Sequence, residues 1–271
     1  MRILAVLTSA ASVPPALDAA QLAAGALADA SIEALDVVVG AGHRVVSSEE
    51  VSIQQLRGLR EGTPSERARA VQAAFELWMT QRDPKAVPII RRSVAGAETG
   101  SVVREAAADV ALVVVPHDAN IDASDALHAA IFSTGKPVLL TPPTWRSRAL
   151  THFSHIAVGL IDDDTMRRAI VAAEPWLRAA DRISAISITG KSNVAPDPAS
   201  MWPLATITPE FLMLPPTGEP TATQLVREAD RLDADLLVGG AYGHMEWMEW
   251  LFGGVTRELL EVADLPLLLA H

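Results

Sequence analysis

Short apolar runs alternate with longer amphipathic stretches along nearly the whole chain, and the period of each stretch sets the element expected there. Ile3–Leu7, Leu35–Val39, Leu112–Val115, Val138–Leu140, Ile156–Ile161 and Leu236–Val238 are almost unbroken apolar runs, as expected of strands covered on both faces. Pro88–Ile90, Ile183–Ile188, Phe211–Leu214 and Leu267–Ala270 read as further strands.

Helices are predicted between them. Pro14-Pro15 opens an alanine-rich helix to about Ala30, since proline is tolerated in a first turn. Thr63-Pro64-Ser65-Glu66 carries the capping-box pattern and predicts a helix to about Thr80. Gly100–Ala108 and Asp122–Ser133 are shorter helices. Thr165–Ala180 is a helix kinked by Pro175, because proline removes a backbone donor. Thr221-Ala222-Thr223-Gln224 is a second capping-box pattern, opening a helix to about Leu232. Residues 43–62 are polar and irregular, and 190–209 are rich in Pro, Ser and Asn, as expected of a loop.

Strand–helix alternation of this kind predicts a parallel, doubly wound α/β sheet. The order of elements runs through once and then restarts after Pro142-Pro143-Thr144, a linker in composition. Residues repeat with it. Val103-Arg104-Glu105-Ala106 recurs as Val226-Arg227-Glu228-Ala229, and Lys136-Pro137-Val138-Leu139-Leu140 matches Leu265-Pro266-Leu267-Leu268-Leu269. A tandem duplication is expected, with domains at 1–146 and 147–271.

Composition narrows the function classes. The 271 residues supply ample apolar material for a core, and with no cysteine there are no disulfides, thiolate catalysis or Cys-based metal sites. That fits a reducing cytoplasm. A net charge of −11 argues against a nucleic-acid or anionic-membrane surface. The Met1–Leu7 run faintly mimics a secretory signal, but it is short and Pro14-Pro15 follows, so a buried first strand is expected. No apolar run reaches the ~20 residues of a membrane helix.

The densest chemistry lies near residue 240. Leu236-Leu237-Val238 runs into Gly239-Gly240-Ala241-Tyr242-Gly243, then an amphipathic stretch broken by Gly253-Gly254. Strand, glycine turn and helix start are what a phosphate cradle needs: glycine admits close approach, and a helix start offers free N–H groups. Two residues separate Gly240 from Gly243, and nine residues separate Gly243 from Gly253. This spacing resembles the G-x2-G-x9-G-[Ser/Thr] signature of the universal stress protein (UspA) family, and the element order of each half fits its domain.

The resemblance implies two UspA-like domains packed as a pseudo-dimer through their last strands. It also implies an adenine nucleotide, ATP or ADP, with or without Mg²⁺, at the C-terminal ends of the second half's strands. Carried over by position, Gly240, Gly243, Gly253 and Gly254 are phosphate-loop candidates, and Asp162 resembles the acidic residue near adenine and ribose. Where the signature ends in Ser/Thr this chain has Gly254, with an N–H but no hydroxyl; Thr256 lies two residues on. His244 is either a phosphate contact or an exposed capping residue. The first half departs further: Val115-Pro116-His117-Asp118-Ala119-Asn120 lacks the glycines, and Asp118 places negative charge where phosphate would sit.

Other signals have plainer readings. Trp247, Trp250, Leu251, Val255, Leu259 and Val262 fall at helical spacing and read as a core stripe, with a tryptophan available to a subunit interface. His117, Asp118 and His128 read as surface residues rather than a metal set. Thr189-Gly190-Lys191-Ser192 ends like a P-loop, but Ala185 replaces its first glycine. No nucleophile–base pair stands out. The expectation is a cytoplasmic stress-response regulator that binds nucleotide in its second half with little or no catalysis, acting on an unknown protein partner and open to homodimerisation. The alternative is an interaction module of the same fold that has lost its ligand.

Overall fold

A computed structural model describes residues 1–39, 61–83, 85–96, 98–118, 120–147, 150–189, 198–240, 258–260 and 262–270. The first half contributes strands β1 (Arg2–Leu7), β2 (Ser31–Val39), β3 (Ile89–Gly96), β4 (Leu112–Pro116) and β5 (Val138–Thr141). Its helices are α1 (Val13–Gly25), α2 (Pro64–Gln81), α3 (Thr99–Ala106) and α4 (Ile121–Ser133). The second half contributes β6 (His155–Gly159), β7 (Arg182–Ile188), β8 (Glu210–Leu214), β9 (Leu236–Gly240) and β10 (Leu267–Ala270). Its helices are α5 (Asp164–Ala172), α6 (Glu174–Ala179), α7 (Pro198–Met201) and α8 (Thr221–Arg231).

All ten strands form one sheet in the order β3-β2-β1-β4-β5-β10-β9-β6-β7-β8. Each half is parallel within itself and has the same doubly wound order. The halves meet where β5 and β10 run antiparallel, Leu140 opposite Leu267 and Val138 opposite Leu269. The expected pairing of last strands is therefore present within one chain.

The unbroken apolar runs explain this arrangement. Side chains alternate across a strand, so a strand buried on both faces must be apolar at every position. Ile3, Ala5 and Leu7 enter one core, and Leu4 and Val6 enter the other. Each core continues across the β5·β10 seam: Leu139 shares its cluster with Leu268 and Ile156, and Leu140 shares the opposite one with Leu267 and Ala157. Two further contacts bind the halves. Trp176 on α6 donates its Nε1–H to the carbonyl of Ala23 at 3.0 Å. A Cβ on Gly25 would lie 2.1 Å from the Thr151 carbonyl oxygen, so only glycine admits that approach.

Local signals held unevenly. Thr63 caps α2 as a true capping box: its hydroxyl accepts the Glu66 N–H at 3.3 Å, and Glu66 Oε2 accepts the Thr63 N–H at 2.7 Å. Pro175 does more than kink its helix; α5 ends at Ala172 and α6 starts at Glu174. The second capping box is not formed. Helix α8 begins at Thr221 itself, behind Pro220, without a side-chain cap. Gln224 is buried and turns to the preceding loop, accepting the Thr217 N–H at 3.1 Å and donating to the Pro215 carbonyl at 2.9 Å. Strands β2 and β3 exceed their apolar cores because polar rungs extend them, Arg92 reaching Glu33 at 2.6 Å and Arg91 reaching Asp36 at 2.7 Å. Of the expected 190–209 loop, residues 190–197 lie outside the described residues, while Pro198–Met201 forms one helical turn.

Candidate functional site

In the second half the chain leaves β6 toward β7 on one side, whereas β9 leads to β10 on the other. The boundary between β6 and β9 is thus the topological switch point, where connections diverge and leave a crevice at the strands' C-terminal ends. Two of the residues singled out from sequence border it. Asp162 lies in the turn after β6, and Gly240 is the last residue of the adjacent β9.

Gly240 has a steric reason to be glycine. A Cβ there would lie 3.2 Å from the Met166 amide nitrogen and 3.3 Å from Thr165 Cγ2, so β9 ends tight against the first turn of α5. That turn is capped by Asp163, whose Oδ1 accepts the Met166 N–H at 2.6 Å. Asp162 is half-exposed and ion-paired with Arg167, which also reaches Asp164 Oδ1 at 3.1 Å. The turn therefore places three consecutive carboxylates, one guanidinium between two of them, beside the end of β9. Gly243, His244, Gly253, Gly254 and Thr256, along with Trp247 and Trp250, lie outside the described residues.

The equivalent crevice of the first half, between β1 and β4, is differently furnished. Asp118 Oδ2 accepts from Ser9 Oγ at 2.8 Å and from Asn120 Nδ2 at 2.8 Å, bridging the two strand-end loops. Asn120 in turn caps α4 by accepting the Ala123 N–H at 2.8 Å. Pro14 and Pro15, in the first turn of α1, have no N–H to offer an anion. An intramolecular carboxylate and two prolines thus stand where the other half has glycine and amide-bearing residues. His117 donates its backbone N–H to Thr141, and His128 packs on Phe132 with ring centroids 5.0 Å apart. Among the described residues no group of three or more His, Asp or Glu could hold a metal ion.

Two buried polar clusters escaped the sequence reading. Asp36 in β2 is buried, its carboxylate accepting from Arg91 and from Ser93 Oγ at 3.1 Å. Burial raises its pKa above the usual carboxylate value, with the Arg91 charge opposing that rise. It lines a small cavity with Thr8, Val38, Arg67 and Asp122 at the first half's strand ends. A charged residue inside the apolar run Leu35–Val39 was the available signal. At the opposite end of the second half, Asp235 accepts from the Ser154 and His155 N–H groups at 3.0 and 2.8 Å, and His155 Nε2 meets Ser184 Oγ at 3.0 Å. Burial chiefly, with Arg182 nearby, lowers the His155 pKa below 6.5. That cluster lies away from the crevice and fixes the start of β6 against β9.

No family model and no curated protein sequence matches the chain. Solved structures do. The chain superposes on a universal stress protein from Archaeoglobus fulgidus with a TM-score of 0.60 at 12% identity, covering 99% of this chain and 95% of the other. A putative universal stress protein from Pseudomonas aeruginosa gives a TM-score of 0.57 at 16% identity, covering 99% and 92%. A functionally unknown protein from the same species gives the same values. The fold is that of the universal stress proteins. Because nearly all of both chains is matched, the likeness to universal stress proteins takes in the whole ten-stranded assembly and not one half alone. None of the described helices is long and apolar enough to cross a membrane.

Proposed function

We propose that this chain is a tandem universal stress protein, divided near residue 147, whose second half binds ATP, ADP or another adenine nucleotide. Asp162 meets the ribose, while Gly240, Gly243, Gly253 and Gly254 supply backbone N–H groups to phosphate, with His244 and Thr256 beside them. The first half serves as the pseudo-symmetric partner. The protein acts in the cytoplasm as a regulator: nucleotide shifts its conformational populations, and an interacting protein reads the result. Hydrolysis, if measured, is slow, since no nucleophile–base pair lines the described part of the crevice.

The observation that carries this reading is the difference between the two switch points. Asp118 bridges the first to Ser9 and Asn120, whereas the second ends β9 in a glycine lodged against α5. A backbone that approaches so closely at a strand's C-terminal end is what an anionic ligand needs beside it.

The test is direct. Nucleotide released by denaturing the purified protein is identified by mass spectrometry, and ATP is titrated by calorimetry with and without Mg²⁺. Co-purified adenine nucleotide, or saturable heat that Gly243→Val abolishes while the fold survives, supports the reading. No nucleotide and no heat at millimolar ATP would leave the interaction module, which the missing hydroxyl at Gly254 favours, as the remaining function.

A further inference from the structure

At the first half's switch point, between β1 and β4, two side-chain donors converge on one oxygen. Asp118 Oδ2 accepts from Ser9 Oγ on the β1–α1 loop and from Asn120 Nδ2 on the β4–α4 loop, each at 2.8 Å. Both donors are oriented by bonds in which Asp118 has no part. Asn120 Oδ1 accepts the Ala123 N–H at 2.8 Å, which turns the amide nitrogen toward Asp118. Ser9 Oγ accepts the Ser12 N–H at 3.2 Å, which leaves its own proton for the carboxylate. The buried Ser12 fixes that loop in return: its Oγ accepts the Ser9 N–H at 3.0 Å and donates to the Ser9 carbonyl at 2.9 Å. Donors set in place independently of their acceptor are what an oxyanion site requires.

We infer that Asp118 is a built-in ligand of the first crevice: its carboxylate fills an acceptor site formed by Ser9 and Asn120 and ties the two strand-end loops together, the task a bound anion would otherwise perform. The two donors are neutral, and Pro14 and Pro15 withhold N–H groups from the first turn of α1. The site therefore suits a single carboxylate rather than a chain of phosphates. Tethering gives the side chain a high effective concentration, so it excludes free anions. The first crevice is thus held closed by the chain itself. The inference stands whether or not the second half binds nucleotide.

Asp118→Ala removes the internal anion, and formate is the probe for the site it leaves. Near neutral pH the variant is expected to melt roughly 2–6 °C below the parent. Formate at about 100 mM is expected to recover roughly 1–4 °C of that loss, relative to chloride at equal ionic strength, and to leave the parent unmoved. Hydrogen exchange of residues 8–12 should quicken in the variant and slow again with formate. Asp118→Asn keeps an acceptor oxygen in place and should not respond. Adding Ser9→Ala to Asp118→Ala should cut the recovery by half or more. Should Asp118→Ala fail to fold, Asp118→Ser is the milder truncation, with the same recovery expected. An Asp118→Ala variant as stable as the parent overturns the inference. So does formate acting no better than chloride, a response of equal size in Asp118→Asn, or recovery undiminished by loss of the Ser9 hydroxyl.

Discussion

Gly240 and Met166 are locked together across the crevice: a Cβ added to the glycine would sit 3.2 Å from the methionine's amide nitrogen. The strand end and the helix start can therefore close on each other only because one side chain is missing. Gly240→Ala should force a shift of a few tenths of an ångström and lower stability by about 1 kcal/mol, and Gly240→Val by about 1–3 kcal/mol. Urea unfolding of both variants measures this. Equal stability of Gly240→Val and the parent would mean that the contact is slack.

The seam between the halves is tighter still. With the Thr151 oxygen 2.1 Å from where a Cβ would sit, Gly25→Ala is expected to destabilise by about 3 kcal/mol or more, at the upper end for overpacking. Trp176→Phe keeps most of the packing but leaves the buried Ala23 carbonyl without its indole donor. A loss of about 1–2 kcal/mol is expected. Thermal and denaturant unfolding distinguish the two. A single cooperative transition in the parent is also expected, because both cores run through β5 and β10.

His155 gives stability a pH dependence of definite sign. Its folded pKa is depressed, so the unfolded chain binds the proton more readily. Stability is then full above the unfolded value near 6.5 and falls as pH drops through 6.5 toward the folded pKa. His155→Gln, which can still meet Ser184, should flatten that slope. An unchanged slope between pH 5 and 7 in the variant would place the proton uptake elsewhere.

Asp36 and Arg91 should behave as a coupled pair. Asp36→Leu alone strands a largely buried guanidinium and is expected to lose about 3 kcal/mol. Replacing both with Leu removes the uncompensated charge and should recover much of that loss. Additive losses in the double-mutant cycle would argue that the two side chains act independently.

Most strands were legible because burial on both faces demands an apolar residue at every position, and Ile3–Leu7 or Leu236–Val238 satisfy that by themselves. The extensions of β2 and β3 were not, since Arg91 and Ser93 earn their strand positions from Asp36 across the ladder. Thr63 and Thr221 show the same limit in helices. Both open an identical four-residue pattern, but Gln224 has loop carbonyl and amide partners at Pro215 and Thr217 that outcompete capping. In the candidate site, glycine spacing pointed to Gly240, but not to Met166 as the neighbour that requires it. Asp162 was legible as a strand-end acid; its pairing with Arg167 was not.

Sequence by itself determined the alternation of elements, the internal repeat, and the glycine-rich stretch beginning at Gly239 that marks one half off from the other. These depend on local periodicity and composition, which a chain displays without folding. Only the tertiary structure decided that β5 and β10 join the halves antiparallel, that Asp118 bridges the first crevice, and that Gly240 packs against Met166 at the second. Each of those depends on groups distant in sequence meeting in space, where burial and hydrogen-bond geometry, not order along the chain, select the partners.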